Sequence, residues 1–289
     1  MIQPLQKDQE LLRDIASAPQ DRDLLDAWWL GQSGFLIRWN GFSFLFDPYL
    51  SDSLTVKYAQ TDKPHIRMTE RCVDPGALTN LTFVTASHLH TDHLDAETLR
   101  PLAEANPNLP LFLPAAILED AQQRLGDACL HYHPLDQGIR HEAGEWSLEG
   151  VASAHNDLKT DEQGRHHYLG FILRCGPFTV YHSGDTLWHD GLVDTLRPLG
   201  CDLMLLPING NKPERRVAGN LNGTEAAALA KACQARTVVP CHYDMFSFNT
   251  EAPEEFIHAC QRLQQPFTVL SCGERLRLAA ASGGKKKPA

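Results

Sequence analysis

The sequence lacks paired cysteines, a long hydrophobic run and an excess of basic residues. Its eight cysteines are scattered and form no C-x-x-C pair, which is typical of reduced, buried thiols rather than of a disulfide framework. The N-terminal residues contain no continuous apolar core of the signal-peptide type, and no later run is long enough to span a membrane. We therefore expect a soluble, cytoplasmic protein without a membrane span.

The charge balance argues against nucleic-acid binding. A formal net charge of −10 disfavours a broad surface that follows phosphates, but it is compatible with a small, locally focused anion site. No repeat or long low-complexity stretch divides the chain, and its hydrophobic fraction of 43% is ample for a sizeable core. We predict a helical lead-in at residues 1–22, a single domain at 23–280 and a disordered basic tail at 281–289.

The pattern of apolar residues predicts strands and helices in alternation. Strands are expected where β-branched and aromatic runs lie between turn residues, at 27–31, 34–39, 42–46, 81–86, 110–113, 145–154, 167–174, 177–183, 202–206, 236–240 and 267–271. Helices are expected at 9–17, 95–105, 115–125, 223–234 and 253–264. This order predicts an α/β protein in which two mixed β-sheets face one another and the helices lie outside.

The run SHLHTDHL at residues 87–94 is a dense cluster of potential metal ligands. It follows a predicted buried strand and precedes a predicted helix, so that His88, His90, Asp92 and His93 share one loop. His88 and His90 can point to the same side, whereas Asp92 and His93 can diverge towards a second position. Helix-capping and surface polar residues are the alternative interpretation, but they explain a cluster of this density poorly. The loop predicts a site for one or two divalent ions.

Three further side chains follow predicted strands elsewhere in the chain. His155, Asp185 and His242 each lie where a strand ends, and functional groups on loops converge at such sheet edges. Each alone could be an ordinary polar or capping residue, but together with the 87–94 loop they predict a shared metal site. The other histidines considered lack this context and are left out of the site: His131, His133, His141, His166, His167, His182, His189 and His258.

The order of these residues resembles the metallo-β-lactamase superfamily, from Trp28 to about residue 278. The matching pattern is H-x-H-x-D-H, then a separated His, a Gly-Asp pair and a last His. Segments 29–35, 47–52, 181–186 and 240–246 resemble the branch that contains L-ascorbate-6-phosphate lactonase. The resemblance implies an αβ/βα sandwich with helices on the outer faces and one active site along the sheet edges.

The resemblance also implies roles for single residues. The metal ligands would form two groups, each for one ion: His88, His90 and His155, and Asp92, His93 and His242. Asp185 would bridge the two ions, although the lactonase branch includes mononuclear manganese members, so a single ion stays an alternative. Asp47 matches an early aspartate that orients a ligand histidine or a backbone group. From local sequence alone, a strand-ending turn before Pro48 explains Asp47 equally well.

The implied function is a metal-dependent hydrolase that uses a metal-activated water, with Asp92 and Asp185 as catalytic residues. The ion could be Zn, Mn or Fe, because histidine and carboxylate ligands suit all three. The implied substrate is a small anionic ester or lactone, such as a sugar-phosphate lactone. Phosphodiester cleavage, thioester hydrolysis, metal-dependent redox chemistry and non-catalytic metal binding are the alternatives. The lactonase branch further implies a homo-oligomer.

Candidate substrate contacts follow less directly from the sequence. Asn209, Lys212 and Arg215 lie on a loop after a predicted core strand and could bind a phosphate or carboxylate, but a solvated charged loop is the favoured interpretation. Tyr243 could donate a hydrogen bond to a substrate oxygen, or it could be a packed aromatic residue. The polar segment 156–165 could be a lid over the site or a plain surface hairpin.

Overall fold

The computed structural model describes residues 1–281 of the chain. Its strands, in chain order, are β1 (Leu24–Gly31), β2 (Gly34–Trp39), β3 (Phe42–Phe46), β4 (Phe83–Thr85), β5 (Leu109–Pro114), β6 (Leu130–Leu135), β7 (Arg140–Ala143), β8 (Trp146–Ala152), β9 (Leu169–Cys175), β10 (Phe178–His182), β11 (Leu203–Pro207), β12 (Val238–Cys241) and β13 (Arg275–Ala279). Its α-helices are α1 (Asp8–Ala16), α2 (Ser53–Tyr58), α3 (Ala96–Ala105), α4 (Leu118–Leu125), α5 (Leu192–Leu196), α6 (Gly223–Ala232) and α7 (Glu254–Leu263). The tail predicted at 281–289 lies, apart from Ala281, outside the described residues.

The strands form two mixed sheets. One has the order β13-β1-β2-β3-β4-β5-β6 and the other β12-β11-β10-β9-β8-β7. In the first sheet, strands β3, β4, β5 and β6 are parallel to one another. In the second sheet, strands β10, β11 and β12 are parallel. The remaining pairs are antiparallel. Because parallel strands share a direction, their carboxyl ends meet at one edge of each sheet.

Aromatic side chains from both sheets fill the space between them. Phe44 and Phe83 of the first sheet contact Trp146 of the second, with ring centroids 5.6 and 5.2 Å apart. The next residue along β3, Leu45, points to the opposite face and belongs to a second apolar cluster with Leu99 of α3. On the second sheet, α6 contacts β11 and β12 and packs against α7. The predicted α/β class, with two facing mixed sheets and helices outside, is confirmed.

Local sequence explains where several helices begin. Asp95 is the N-cap of α3 and accepts a hydrogen bond from the backbone N–H of Glu97. Asn222 and Glu225 form a capping box at the start of α6. Within residues 1–281, no helix combines the length and the apolar character that a membrane crossing needs.

The strand predicted at 267–271 is wrong. Only Phe267 of that segment makes a bridge, with Val238, and the last strand is β13 instead. In β13 charged and apolar residues alternate, and this period suits an edge strand with one face on the core. Arg277 of β13 lies opposite Asp26 of β1, and its Nε is 2.7 Å from Oδ1 of Asp26.

Candidate metal centre

The seven predicted ligand residues converge at the edge where strands of both sheets end. Asp185, which follows β10, lies at the centre of the group: its Oδ2 is 3.7 Å from Nε2 of His155 and 3.5 Å from Nε2 of His242. Its Oδ1 is 3.3 Å from Nε2 of His93. Three sets of side chains have ligand atoms within 4.8 Å of one another: His88, His90 and His155; His88, His93 and Asp185; Asp92, His93 and His242.

Hydrogen bonds at Nδ1 orient three of the imidazoles. Nδ1 of His88 is 3.0 Å from the hydroxyl of Ser87, and Nδ1 of His155 is 2.9 Å from the carbonyl oxygen of Gly219. Nδ1 of His93 is 2.7 Å from Oδ2 of Asp47. A histidine whose Nδ1 is held by an oxygen directs its Nε2 to the opposite side, which is the usual arrangement of a metal-binding histidine.

Asp47 is fully buried behind His93. Besides His93, it binds the hydroxyl of Thr85 at 2.6 Å and the backbone N–H of Ser87, so it also fixes the start of the 87–94 loop. Burial raises the pKa of Asp47, but His93, His182 and Ser87 outweigh that effect and lower it. Asp47 is therefore ionised beside His93 and fixes the direction of its ring.

Polar atoms without a hydrogen bond mark the centre of the site. Within residues 1–281, the buried atoms Nε2 of His88, Nε2 of His93 and Oδ1 of Asp185 have no hydrogen-bond partner, although the last two face each other at 3.3 Å. Buried polar atoms are almost always paired, and an ion is a common reason for an exception. The donor set of imidazole nitrogens and carboxylates therefore fits a divalent transition metal.

The imidazoles differ in their electrostatic environment. Burial, together with neighbouring imidazoles, lowers the pKa of His88 and His155 and brings that of His90 to about 4. These three rings are neutral at pH 7, the form that binds metals. Burial also lowers the pKa of His242, but the carboxylates of Asp185 and Asp92 raise it to about 9.

His93 behaves like His242. Burial opposes its protonation, but Asp185, Asp92 and Asp47 hold its pKa well above the usual value. Both rings face the carboxylates of Asp92 and Asp185, whose pKa values stay well below normal despite burial because of those imidazoles. The two ionised aspartates thus create a negative potential that favours a cation at this position.

Gln32 also lies at the site, although it was not among the predicted site residues. It lies in the turn between β1 and β2 and is buried, with 2% of its surface exposed. Its Nε2 is 2.8 Å from Oδ2 of Asp92 and 2.9 Å from Nε2 of His242. A single glutamine in a Gly-containing turn carries no local signal, because its contacts lie far away in the sequence.

The site opens into a cavity of about 490 Å³, a size that suits small molecules. His90, Asp92, His155, Asp185 and His242 lie on its wall. Other lining side chains carry or can carry positive charge: Lys57, Lys63, His65, Arg124, Lys159 and His167. Although the net charge of the chain is −10, the cavity wall thus carries three lysines and an arginine besides the carboxylates of Asp92 and Asp185. Among residues 1–281, Lys159 forms no ion pair.

The segment 156–165 forms a hairpin beside this cavity. Thr160 bridges to His166, and the backbone of Asp161 closes the turn with Arg165 at 2.9 Å. Lys159 of this hairpin is exposed and lines the cavity. The segment thus forms a hairpin-like turn held by an isolated bridge, and through Lys159 it contributes to the wall of the cavity.

The four predicted substrate contacts do not line the cavity. Asn209 is fully buried and hydrogen-bonds Asn220 and Asn249, and Arg215 and Lys212 both pair with Glu251. These polar groups are already used within the protein, so the loop after β11 does not present them to a ligand.

Tyr243 is a packed aromatic residue. Its ring stacks on Trp29 with centroids 4.4 Å apart, and its hydroxyl donates to the carbonyl of Leu270. Burial raises the pKa of the Tyr243 phenol above its usual value, so it is a poor acid. Position next to His242 in the sequence suggested a substrate contact, but the left-handed backbone of His242 (φ 63°) redirects the chain.

His182, left out of the predicted site, has a structural role. Its Nε2 is 2.8 Å from the carbonyl oxygen of Ser33, and its ring stacks on Phe46 at 5.3 Å. The other histidines left out of the ligand set are absent from the metal-ligand groups found among residues 1–281. His167 alone of them lines the cavity.

Relatives of the chain are found among bacterial and archaeal proteins. A UPF0173 metal-dependent hydrolase of Desulforamulus reducens is 25% identical over 258 residues, covering 86% of this chain and 98% of the relative. A UPF0173 metal-dependent hydrolase of Bacillus thuringiensis is 27% identical over 255 residues, covering 86% and 97%. These names do not single out a lactonase branch, and that narrower resemblance stays a prediction.

Solved structures share the fold at low sequence identity. The isothiocyanate hydrolase from Delia radicum gut bacteria has a TM-score of 0.69 at 18% identity, covering 89% of this chain and all of that one. The metallo-beta-lactamase fold protein YhfI from Bacillus subtilis has a TM-score of 0.63 at 16% identity, covering 88% and 99%. The family model described as Beta-lactamase superfamily domain matches residues 43–243, more than half of the chain. The chain therefore belongs to the β-lactamase superfamily.

Proposed function

We propose that this chain is a metal-dependent hydrolase of a small anionic ester or lactone, with a sugar-phosphate lactone as the representative substrate. The observation that carries the proposal is the convergence of five imidazoles and two carboxylates, of which His90, Asp92, His155, Asp185 and His242 line a cavity with several basic side chains. The relatives named metal-dependent hydrolases support the same reaction class.

His88, His90 and His155 would hold one ion, and Asp92, His93 and His242 a second, with Asp185 facing both sets. Zn, Mn and Fe all suit these donors. A bound divalent ion would supply Lewis acidity, which lowers the pKa of water to about 7 and polarises a carbonyl or phosphoryl oxygen. The open cavity beside the ligands gives water and substrate access to the site, as a catalytic rather than a structural metal site requires.

Asp92 is placed to handle the proton of the attacking water. Its pKa is held well below normal, so the carboxylate is ionised at neutral pH and can accept a hydrogen bond or a proton. Its Oδ2 lies 3.5 Å from Nε2 of His242, on the side of the proposed ion, which leaves Oδ1 for the water. The buried Asp185 faces Nε2 of both His93 and His242 and keeps both rings in place.

The cavity mouth favours a substrate with negative charge. Lys57 and Lys159 carry ammonium groups without a carboxylate partner among residues 1–281, and both line the cavity. The Nζ of Lys57 donates to the hydroxyl of Thr91 at 3.1 Å and lies beside the ligand loop. A phosphate or carboxylate at the mouth would contact these amines while its ester carbon reaches the floor.

Metal analysis and hydrolysis assays on the full chain test the proposal. Lactones, phosphodiesters and thioesters are offered to wild type and to His90→Ala, each loaded with Zn, Mn or Fe. We expect metal-dependent lactone hydrolysis by wild type, and loss of bound metal and of turnover in His90→Ala. Retained metal and unchanged turnover in His90→Ala would refute the site, and turnover only on the other two substrate classes would refute the lactone.

A charge variant tests the substrate class. Lys159→Gln should raise KM for a phosphorylated lactone by roughly tenfold, because a charge-assisted contact is lost, and should leave KM for the unphosphorylated lactone unchanged. Lys231→Gln, on the exposed side of α6, is the matched control and should change neither. An equal effect of Lys159→Gln on both lactones would contradict anion recognition at the mouth.

A further inference from the structure

Gln32 is held rigidly by its backbone. Its carbonyl oxygen accepts the backbone N–H of His242 at 2.9 Å and the indole N–H of Trp29 at 2.9 Å. Its φ of 51° is left-handed, a conformation that costs a residue with a side chain about 1 kcal/mol. Asp47 and His242 at this sheet edge also have a positive φ, and strained conformations of this kind concentrate at functional sites.

This backbone directs the carboxamide of Gln32 into the site. The terminal group lies 2.8 Å from Oδ2 of Asp92 and 2.9 Å from Nε2 of His242. Two atoms bound at right angles to one ion at about 2.1 Å lie about 3 Å apart. The two spacings are those of hydrogen bonds, and they also allow the carboxamide and its neighbours to share one ion. Gln32 is as buried as the histidines around it and lines the cavity.

We propose that the carboxamide oxygen of Gln32 is an additional ligand for the cation held by Asp92, His93 and His242. The inference rests on the metal-dependent function proposed above. The oxygen and nitrogen of a carboxamide exchange places by a half-turn about the last side-chain torsion. Without a cation, the amide nitrogen of Gln32 faces the carboxylate of Asp92 and donates to it. With a cation bound between them, the amide oxygen would face the cation instead. Gln32 then sets how tightly the second ion is held.

Two substitutions distinguish a ligand from a residue that merely positions Asp92. Gln32→Leu removes both polar atoms with little change in size and should weaken the second ion by about tenfold or more. Gln32→Glu replaces the neutral oxygen with a charged one and should tighten the second ion. If Gln32 only donated to Asp92, the new carboxyl of Gln32→Glu would not reach the ion and would share a proton with Asp92. The ion would have to displace that proton, so the second affinity would stay unchanged or fall.

The measurement is titration of Mn²⁺ and Zn²⁺ into the full chain, freed of metal by chelator, with calorimetry and metal counting after dialysis. We expect two ions per wild-type chain, an unchanged first affinity in both variants, and opposite shifts of the second affinity. Circular dichroism before metal addition confirms that each variant is folded, and the near-isosteric Gln32→Glu provides the test should Gln32→Leu not fold.

The outcomes separate this inference from the function on which it rests. Wild type that binds no metal would overturn the proposed function as well as the role of Gln32. Wild type that binds only one ion would overturn the role of Gln32 alone, and so would wild type that binds two ions while both variants are unchanged or Gln32→Glu is weaker at the second ion. Tighter binding of the second ion by Gln32→Leu would also overturn it, because the amide would then exclude the ion.

Discussion

The five imidazoles of the site are identical in chemistry but differ in their neighbours. His88, His90 and His155 face other imidazoles and have lowered pKa values, whereas Asp92 and Asp185 raise those of His93 and His242. At pH 7 the first three rings are therefore neutral, whereas the carboxylates favour the protonated forms of His93 and His242. A metal ion at the second set must replace protons that already balance the two carboxylates.

Metal uptake by the second set should therefore release protons. Ligation needs the free base of His242, whose pKa is raised to about 9, and of His93, whose pKa is also raised. Below pH 9 each drop of one pH unit should weaken the second ion by about tenfold through the proton on His242 alone, and the raised pKa of His93 acts in the same direction. We expect about one proton from His242 to be released at pH 7, with a further contribution from His93.

An indicator dye in weakly buffered solution measures this release during metal addition. A titration at pH 10 is the control, since His242 is already deprotonated there and the release should shrink. Uptake of a second ion at pH 7 without proton release would contradict the electrostatic description of the site.

At the residue scale, the candidate metal ligands could be predicted from the sequence, but the residues around them could not. The seven candidate ligands stand out because each follows a strand, and strand ends are visible in the sequence. Gln32 reaches Asp92 and Lys159 reaches the cavity only through the folded chain, so no local pattern marks them. Asn209 looked available on a polar loop, but its partners Asn220 and Asn249 satisfy it.

The turn after β10 packs closely against Ser87 of the ligand loop. Gly184 precedes Asp185 with φ 57°, and a Cβ there would lie 2.5 Å from Cβ of Ser87 and 2.9 Å from the carbonyl oxygen of Leu169. Gly184→Ala should therefore lower the free energy of unfolding by about 2–4 kcal/mol, the sum of backbone strain and overpacking. It should also weaken metal binding, because Asp185 moves with the turn.

Gly144→Ala is the matched control for this substitution. Gly144 has a similar φ of 66°, but a Cβ there would meet nothing within 4 Å, so only the backbone cost of about 1 kcal/mol remains. Urea denaturation of both variants measures the difference. Equal losses of stability would show that the contact with Ser87 does not limit this turn.

Elements with a clear period were predictable, and elements defined by their neighbours were not. The alternating and capped segments around α3, α6 and β8 were found within a few residues. β6 and β7 were not predicted because their residues have low strand propensity: β6 contains His131, His133 and Pro134, and β7 contains charged residues. Both are short edge strands, and pairing with β5 and β8 respectively stabilises them. The apolar run at 267–271 suggested a strand, but β13 occupies the place beside β1.

On the scale of the whole molecule, the two sheets contribute different ligands to one centre. His88 and His93 come from the loop after β4 of the first sheet, whereas His155, Asp185 and His242 follow β8, β10 and β12 of the second. A shared ion would therefore join the two sheets at this edge. No disulfide links them, since all eight cysteines are free thiols. Ligand binding to the folded state alone stabilises it in proportion to the logarithm of ligand concentration.

Removal of metal should accordingly lower the melting temperature of the protein. Metal at 100 times its Kd stabilises the folded chain by about 2.7 kcal/mol, which corresponds to roughly 5–10 °C for a domain of this size. Thermal unfolding with metal and with chelator measures the shift. His155→Ala should lose most of the shift, whereas His258→Ala, on the exposed face of α7, should retain it. Equal melting temperatures of wild type with and without metal would show that the two sheets do not share an ion.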